Sequence, residues 1–278
     1  MPELPEVETT RRGIEPSLRG RTIRSFKVRQ PSLRWPVPAH LTDFLPGLVI
    51  SSVKRRSKYL LLTLTQVDGT SAGTLLIHLG MSGSLRLTPP ETAPRKHDHI
   101  DLILTDGTCL RYHDPRRFGA WLWTDQPPNT YPLLAKLGPE PLSEAFDGDV
   151  LFQALSRRKS AIKTCLMNAH IVVGVGNIYA NEALFLSGLH PTLRADTLTK
   201  PQCETLARHI REVLQAAIEQ GGTTLNDFLA PSGTPGYFEQ RLFVYGRLDE
   251  PCRHCGTPIE KQVISQRASY FCPHCQPL

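Results

Sequence analysis

The spacing of apolar residues divides this chain into segments of different character. Val7, Ile14 and Leu18 fall on one helical stripe, Pro5 suits an early helical position, and Glu6 and Glu8 favour the positive end of a helix. A short helix is therefore expected from about residue 4 to Gly20. The pattern then turns to short β-rich runs at residues 21–29, 48–53, 59–65, 74–79, 100–105, 109–113 and 120–124. Gly, Pro and Asp-Gly turns (Asp68-Gly69, Asp106-Gly107) separate them, which predicts a two-layer sandwich or a barrel. Beyond Gln126-Pro127-Pro128-Asn129 the period becomes helical over residues 150–220. The clearest helix spans residues 203–219, with Leu206, Ile210, Val213, Leu214, Ala217 and Ile218 at helical spacing and Gly221-Gly222 to stop it. Residues 221–240, rich in Gly, Pro, Ser and Thr, are too long for a plain connector, which marks the segment as mobile or functional. A small cysteine module closes the chain.

Composition adds exclusions. No apolar run approaches the roughly 18 residues that a membrane helix needs, and Met1-Pro2-Glu3-Leu4-Pro5-Glu6 has neither the basic start nor the apolar stretch of a secretion signal. The 278 residues suit two domains. Thirty-two basic residues against 26 acidic ones give a mild net charge of +6, whose placement matters more than its size. Lys54-Arg55-Arg56-Ser57-Lys58, Arg116-Arg117 and Arg157-Arg158-Lys159 are short clusters that suit either a polyanion groove or a solvated face.

Four of the seven cysteines lie within the last 27 residues as Cys252-x2-Cys255-x16-Cys272-x2-Cys275. Each Cys-x-x-Cys can chelate one side of a tetrahedral zinc ion, and the 16 intervening residues suffice for a hairpin carrying Arg267. Four thiolates close the coordination sphere, so one structural zinc is expected. Cys109, Cys165 and Cys203 stand alone in apolar or helical surroundings as buried thiols, and an odd total without a signal peptide points to a reducing compartment.

Three further stretches carry candidate chemistry. Gly174-Val175-Gly176-Asn177 leads into a helix, with Asn177 as its cap; the turn is either an anion site for a phosphate or a plain capping turn. His78-Leu79-Gly80-Met81-Ser82-Gly83 and Asp114-Pro115-Arg116-Arg117-Phe118-Gly119 place large side chains beside glycines. Buried, these are ordinary core residues; exposed, Met81, Arg116 and Phe118 can wedge into a base stack and fill the gap left by an extruded nucleotide. Removal of Met1 would expose Pro2 as a secondary amine. With an α-amino pKa near 8, roughly one in ten such amines is neutral at pH 7, and a nearby Lys58 favours the neutral form further. That amine can attack an aldehyde-like carbon, and the resulting iminium ion acidifies the neighbouring C–H bond. Glu3 is adjacent for proton transfer.

In this order, Pro2-Glu3-Leu4-Pro5-Glu6-Val7-Glu8, the Lys54–Tyr59 stretch, the His78 and Asp114 motifs, Gly174–Asn177 and the terminal cysteines make the chain resemble the bacterial formamidopyrimidine-DNA glycosylases over essentially its whole length. The resemblance implies an α+β multidomain fold: an N-terminal helix and β-sandwich catalytic domain over 1–131, a helical helix–two-turn–helix DNA-binding domain with a lesion loop over 132–243, and a four-cysteine zinc finger over 244–278. It implies double-stranded DNA with oxidised bases or abasic sites as the partner, bound in a cleft between the domains. Pro2 would be the nucleophile, Glu3 the acid that assists sugar opening, Lys58 the group for β-elimination and Arg267 that for δ-elimination. His78, Met81, His97, Arg116, Phe118, Arg158, Lys163 and Asn177 would contact DNA, with Arg116 facing the orphaned cytosine. Glu6, Thr223 and Thr224 would meet the lesion. A cytoplasmic, nucleoid-associated monomer is expected. Two alternatives predict different behaviour: an endonuclease VIII type that prefers oxidised pyrimidines, and a non-enzymatic zinc-finger DNA-binding protein in which Pro2 is dispensable.

Overall fold

The computed structural model describes residues 2–221 and 242–278; Thr223, Thr224 and most of the expected 221–240 loop lie outside them. The chain divides into two compact units, one built on the residues up to Ala135 and the other on Lys136–Gln220 with the C-terminal residues from 242. No helix among the described residues is long and apolar enough to cross a membrane.

The first unit opens with α1 (Leu4–Leu18), whose N-cap is Glu3. A reciprocal capping box starts it: the Glu6 carboxylate accepts the Glu3 N–H at 2.7 Å, and the Glu3 side chain accepts the Glu6 N–H. Val7, Ile14 and Leu18 are all buried, as their spacing predicts. Eight strands follow: β1 (Ile23–Val28), then after the one-turn α2 (Leu41–Phe44) β2 (Val49–Arg56), β3 (Tyr59–Thr65), β4 (Ser71–His78), β5 (Ser84–Thr88), β6 (Asp98–Leu104), β7 (Cys109–His113) and β8 (Ala120–Thr124). They form two four-stranded antiparallel sheets, ordered β1-β6-β7-β5 and β2-β3-β4-β8. Of the two architectures open from the sequence, the chain thus adopts the sandwich.

Two differences from the sequence reading bear on the site. The strand expected to stop at Val53 continues through Lys54-Arg55-Arg56, because these residues pair with Leu61, Leu60 and Tyr59 of β3. The basic run is therefore a strand end, and Ser57-Lys58 is a two-residue hairpin turn with Ser57 at φ 55°. The second difference is β5, five residues that follow the glycine-rich turn after β4 and are not among the expected runs.

Leu60, Leu62, Leu75, Ile77, Ile100, Leu102 and Leu104 fill the space between the sheets. Trp121 lies among them, with ring centroids 5.7 Å from Phe26 and 5.8 Å from Tyr112. The sheet β1-β6-β7-β5 also carries an ionic ladder. Asp101 is 1% exposed and takes a bidentate bond from Arg111 at 2.7 and 2.9 Å, plus one from Arg29. Asp98 takes Arg86, the Arg95 N–H at 2.7 Å and His113 Nδ1 at 2.9 Å. Burial alone would raise both carboxyls, but the arginine bonds outweigh it and hold both below the usual carboxylate range.

The second unit is helical: α3 (Gly148–Leu155), α4 (Ile162–Leu166), α5 (Asn177–Leu186) and α6 (Lys200–Glu219). Thr199 and Gln202 form the capping box of α6, and Gly221 at φ 85° follows its end, where a left-handed residue is favoured. A hairpin of β9 (Glu260–Ile264) and β10 (Arg267–Phe271) closes the chain over Phe185, Val244, Cys252, Ile259 and Cys272. The fold class is thus α+β, with sandwich, helical and finger parts as expected.

The ladder gives a stability test. Asp101→Asn leaves the buried Arg111 guanidinium without its counter-charge and is expected to destabilise the protein by about 3–5 kcal/mol in urea unfolding, with the midpoint lowered and the slope unchanged.

Candidate functional site

Pro2 and Glu3 are both buried, Glu3 at 2% exposure. Pro2 and Glu3 are thus built into the fold at the positive end of α1. Glu6, expected to meet a lesion, is likewise 2% exposed, and its carboxylate is engaged by the Glu3 N–H. Lys58 stands at the tip of the β2-β3 hairpin, half-buried. Near it lies His78 at the end of β4, its ring centroid 4.8 Å from that of Tyr59. His78 Nδ1 accepts the Gly80 N–H at 3.0 Å, so Nε2 carries the proton of the neutral ring. Burial, then the Lys58 and Arg34 charges, push the imidazole down to about 4, against the opposing pull of Asp114.

The two glycine-flanked motifs come together. Met81 is 36% and Phe118 43% exposed, and both line a cavity of about 620 Å³ with Ser32, Leu33, Arg34, Arg116 and Arg117. The Arg116 guanidinium sits over the Phe118 ring, 4.9 Å from its centroid. Among the described residues, Arg34, Arg116 and Arg117 have no carboxylate within ion-pair distance. Arg29, Arg86 and Arg111 of the same unit each have a carboxylate partner in the ladder. Cationic groups left without counter-charges beside exposed apolar side chains suit a stacked polyanion. Left-handed backbone at Ser57, His97 and Arg117 (φ 55°, 74° and 56°) marks the turns that carry Lys58, His97 and the Arg116–Phe118 pair.

In the second unit the expected residues converge on β10. Asn177 is not the cap of α5: Gly176 holds that position, and the Asn177 amide donates instead to the Ala268 carbonyl at 3.0 Å. Lys163, expected to touch DNA, is 1% exposed; its ammonium donates to Ala268 O at 2.8 Å and Ser269 Oγ at 2.6 Å. Asn181 accepts the Tyr270 N–H at 2.8 Å. These bonds clamp the strand whose first residue, Arg267, is exposed. Arg158 is exposed just beyond α3, with Nε on the Ala154 carbonyl.

The four finger cysteines bring their sulfurs within 4.8 Å of one another. Their close pairs lie at 3.5–4.0 Å, near the separation of about 3.8 Å that tetrahedral Zn–S bonds of about 2.3 Å require. The donor set therefore fits one structural zinc ion held by Cys252, Cys255, Cys272 and Cys275. The other three cysteines are buried free thiols, and burial pushes Cys109 and Cys203 up to about 11.

Two carboxylates matter that the motif reading does not single out. Asp114 stands just before Pro-Arg-Arg, a place well suited to accept turn N–H groups. Glu182 is the single acid in the apolar run of α5. It accepts the N–H groups of Phe243, Val244 and Tyr245 at 2.6–3.0 Å. Its burial raises the carboxyl's pKa in spite of those three bonds.

Three family models match the chain in sequence order. They are the formamidopyrimidine-DNA glycosylase N-terminal domain over residues 1–121, the H2TH domain of the same enzymes over 137–228, and the zinc finger found in FPG and IleRS over 249–278. A formamidopyrimidine-DNA glycosylase from Hydrogenovibrio crunogenus is 60% identical over 276 residues, covering 99% of this chain and 96% of that protein. Among solved structures, the MutM (Fpg) protein of Thermus thermophilus is 41% identical with a TM-score of 0.87, covering 99% and 98% of the two chains. Fpg from Lactococcus lactis, solved in complex with abasic-site DNA, is 35% identical with a TM-score of 0.89, covering 99% of this chain and all of that one. Agreement at this level over the full length leaves one assignment: the chain belongs to the formamidopyrimidine-DNA glycosylase family.

Proposed function

We propose that this protein is a bifunctional DNA base-excision repair enzyme that removes oxidised purines, 8-oxoguanine and formamidopyrimidines, and then cleaves the strand at the abasic site. It acts on nucleoid DNA in the bacterial cytoplasm. The observation that carries this reading is the enclosure of Pro2 and Glu3, both buried at a capped helix end, where residues with no role have no need to be held.

With Met1 removed, the Pro2 nitrogen attacks the anomeric carbon of the damaged nucleotide as the bond to the base breaks, and Glu3 supplies the proton that opens the sugar. The iminium ion then carries a fixed positive charge beside the sugar C–H bond. Loss of that proton, assisted by Lys58, expels the 3′ phosphate. A second elimination, assisted by Arg267, expels the 5′ phosphate, leaving a one-nucleotide gap. Glu6 holds the Glu3 backbone in place through the capping box. Met81, Arg116 and Phe118 occupy the space vacated by the extruded nucleotide, with Arg116 toward the orphaned cytosine. Their exposure around one cavity, with cations that have no carboxylate partner among the described residues, supports this role. His78 donates from Nε2 to a phosphate, and His97 and Arg158 add further backbone contacts. Lys163 and Asn177 act by clamping β10, so that Arg267 meets the phosphate from a fixed strand.

Borohydride reduction with an 8-oxoguanine:cytosine duplex tests the reading. The Met1-processed protein is expected to form a covalent DNA adduct that Pro2→Gly abolishes; no adduct from the processed wild type overturns it. Faster excision from thymine-glycol than from 8-oxoguanine duplexes would favour the endonuclease VIII type. Cys252→Ala is expected to release zinc, read by metal content, and to weaken binding of lesion duplexes in titration. For His78, the folded-state value lies below the ordinary value near 6.5. Its contribution to stability is therefore complete above about pH 6.5 and is lost as pH falls toward 4. NMR titration is expected to find its ring neutral down to about pH 4.

A further inference from the structure

We propose that Asp114 is a positioning residue for interrogation of the duplex. Its carboxylate locks the turns that present Met81, His97 and Arg116–Phe118 into one rigid probe. This inference rests on the reading of that face as the part that enters the base stack.

Asp114 is fully buried, and among the described residues it forms no ion pair. It is instead filled with hydrogen bonds from separate turns. Oδ1 accepts the Ser82 hydroxyl at 2.9 Å and the Arg116 N–H at 3.3 Å. Oδ2 accepts the Tyr112 hydroxyl at 2.8 Å and the Gly119 N–H at 2.9 Å. The Asp114 N–H donates to the His97 carbonyl at 3.0 Å, and its own carbonyl accepts from His99 Nε2 at 2.8 Å. One residue therefore ties the turn after β4, which holds Met81, to the turn after β7, which holds Arg116 and Phe118. It ties both to the turn before β6, which holds His97.

The surrounding glycines show how closely these turns meet. A Cβ on Gly80 would lie 2.4 Å from the Phe118 carbonyl carbon, and one on Gly119 1.8 Å from the Tyr112 hydroxyl. A Cβ on Gly83 would lie 2.1 Å from the Leu79 carbonyl oxygen. The Met81 and Phe118 turns thus pack backbone to backbone, with the Tyr112–Asp114 pair beneath them. A wedge pressed into stacked bases is pushed back by the stack, and three independent turns would yield where a tied set does not. A carboxylate suits the task because both of its oxygens accept only. The isosteric amide would turn a donor toward either Ser82 and the Arg116 N–H, or Tyr112 and the Gly119 N–H.

The experiment uses full-length, Met1-processed protein under single turnover. It compares 8-oxoguanine excision opposite cytosine and opposite adenine with cleavage of a preformed abasic site, which presents no base to evict. In Asp114→Asn, the ratio of excision to abasic-site cleavage is expected to fall about ten-fold, since a loosened wedge no longer offsets the cost of about a few kcal/mol of unstacking a base, which the abasic site does not incur. The preference for cytosine over adenine is expected to shrink with it. Ser82→Ala cuts only the tether to the Met81 turn and is expected to move both readouts in the same direction by less; if Asp114→Asn does not fold, Ser82→Ala decides alone. An unmoved ratio, or a parallel fall of both activities with the cytosine preference kept, overturns the proposal. Wild-type protein that forms no borohydride adduct would overturn the functional reading itself; a wild-type adduct with an unmoved ratio overturns this inference only.

Discussion

Buried carboxylates that accept backbone N–H groups hold several of the turns of this chain. Glu6 takes the N–H of Glu3, Asp98 that of Arg95, Asp114 those of Arg116 and Gly119, and Glu182 those of Phe243, Val244 and Tyr245. A turn that leaves a sheet or enters a helix carries N–H groups that the regular ladder cannot satisfy. Leaving one of them unpaired in the interior costs about 1–3 kcal/mol. A carboxylate can satisfy two or three together and so fixes the direction in which the next side chain leaves the backbone. Glu3, the turn before His97 and the Arg116–Phe118 turn all owe their orientation to such an acceptor.

The cations of the first unit serve two different ends. Arg29, Arg86 and Arg111 lie against Asp98 and Asp101. There each guanidinium is paired inside the protein, and the pairs tie strands of one sheet. Arg34, Arg116 and Arg117 line a cavity with exposed Met81 and Phe118. Polyanion binding needs charge that the protein has not already neutralised, and base-stack insertion needs apolar groups that the core has not absorbed. Both conditions are met at the same place.

The second unit reaches a similar end by side-chain hydrogen bonds and metal. Lys163 and Asn177 converge on one carbonyl of β10, and Asn181 holds the same strand two residues further on. The zinc site fixes the far end of the same hairpin. A surface arginine loses much side-chain entropy on binding; presenting Arg267 on a strand secured along its length limits the disorder to the side chain itself.

Much of this protein was legible in the sequence. The period of its apolar residues gave α1, most strands of the sandwich and α6, because burial of one face imposes that period directly. The four-cysteine spacing gave the zinc ligands, because short local loops dictate which sulfurs can meet. The ordered motifs gave the family. The apolar period left sandwich and barrel open and the family resemblance pointed to the sandwich; the tertiary structure supplied the strand order on which closure depends. It also carried the basic run of Lys54–Arg56 into a strand by pairing it with β3. It turned Lys163 inward and moved the helix cap from Asn177 to Gly176. The role of Asp114 was beyond reach for the same reason: its donors come from residues 82, 112, 116 and 119, and only folding brings them to one carboxylate.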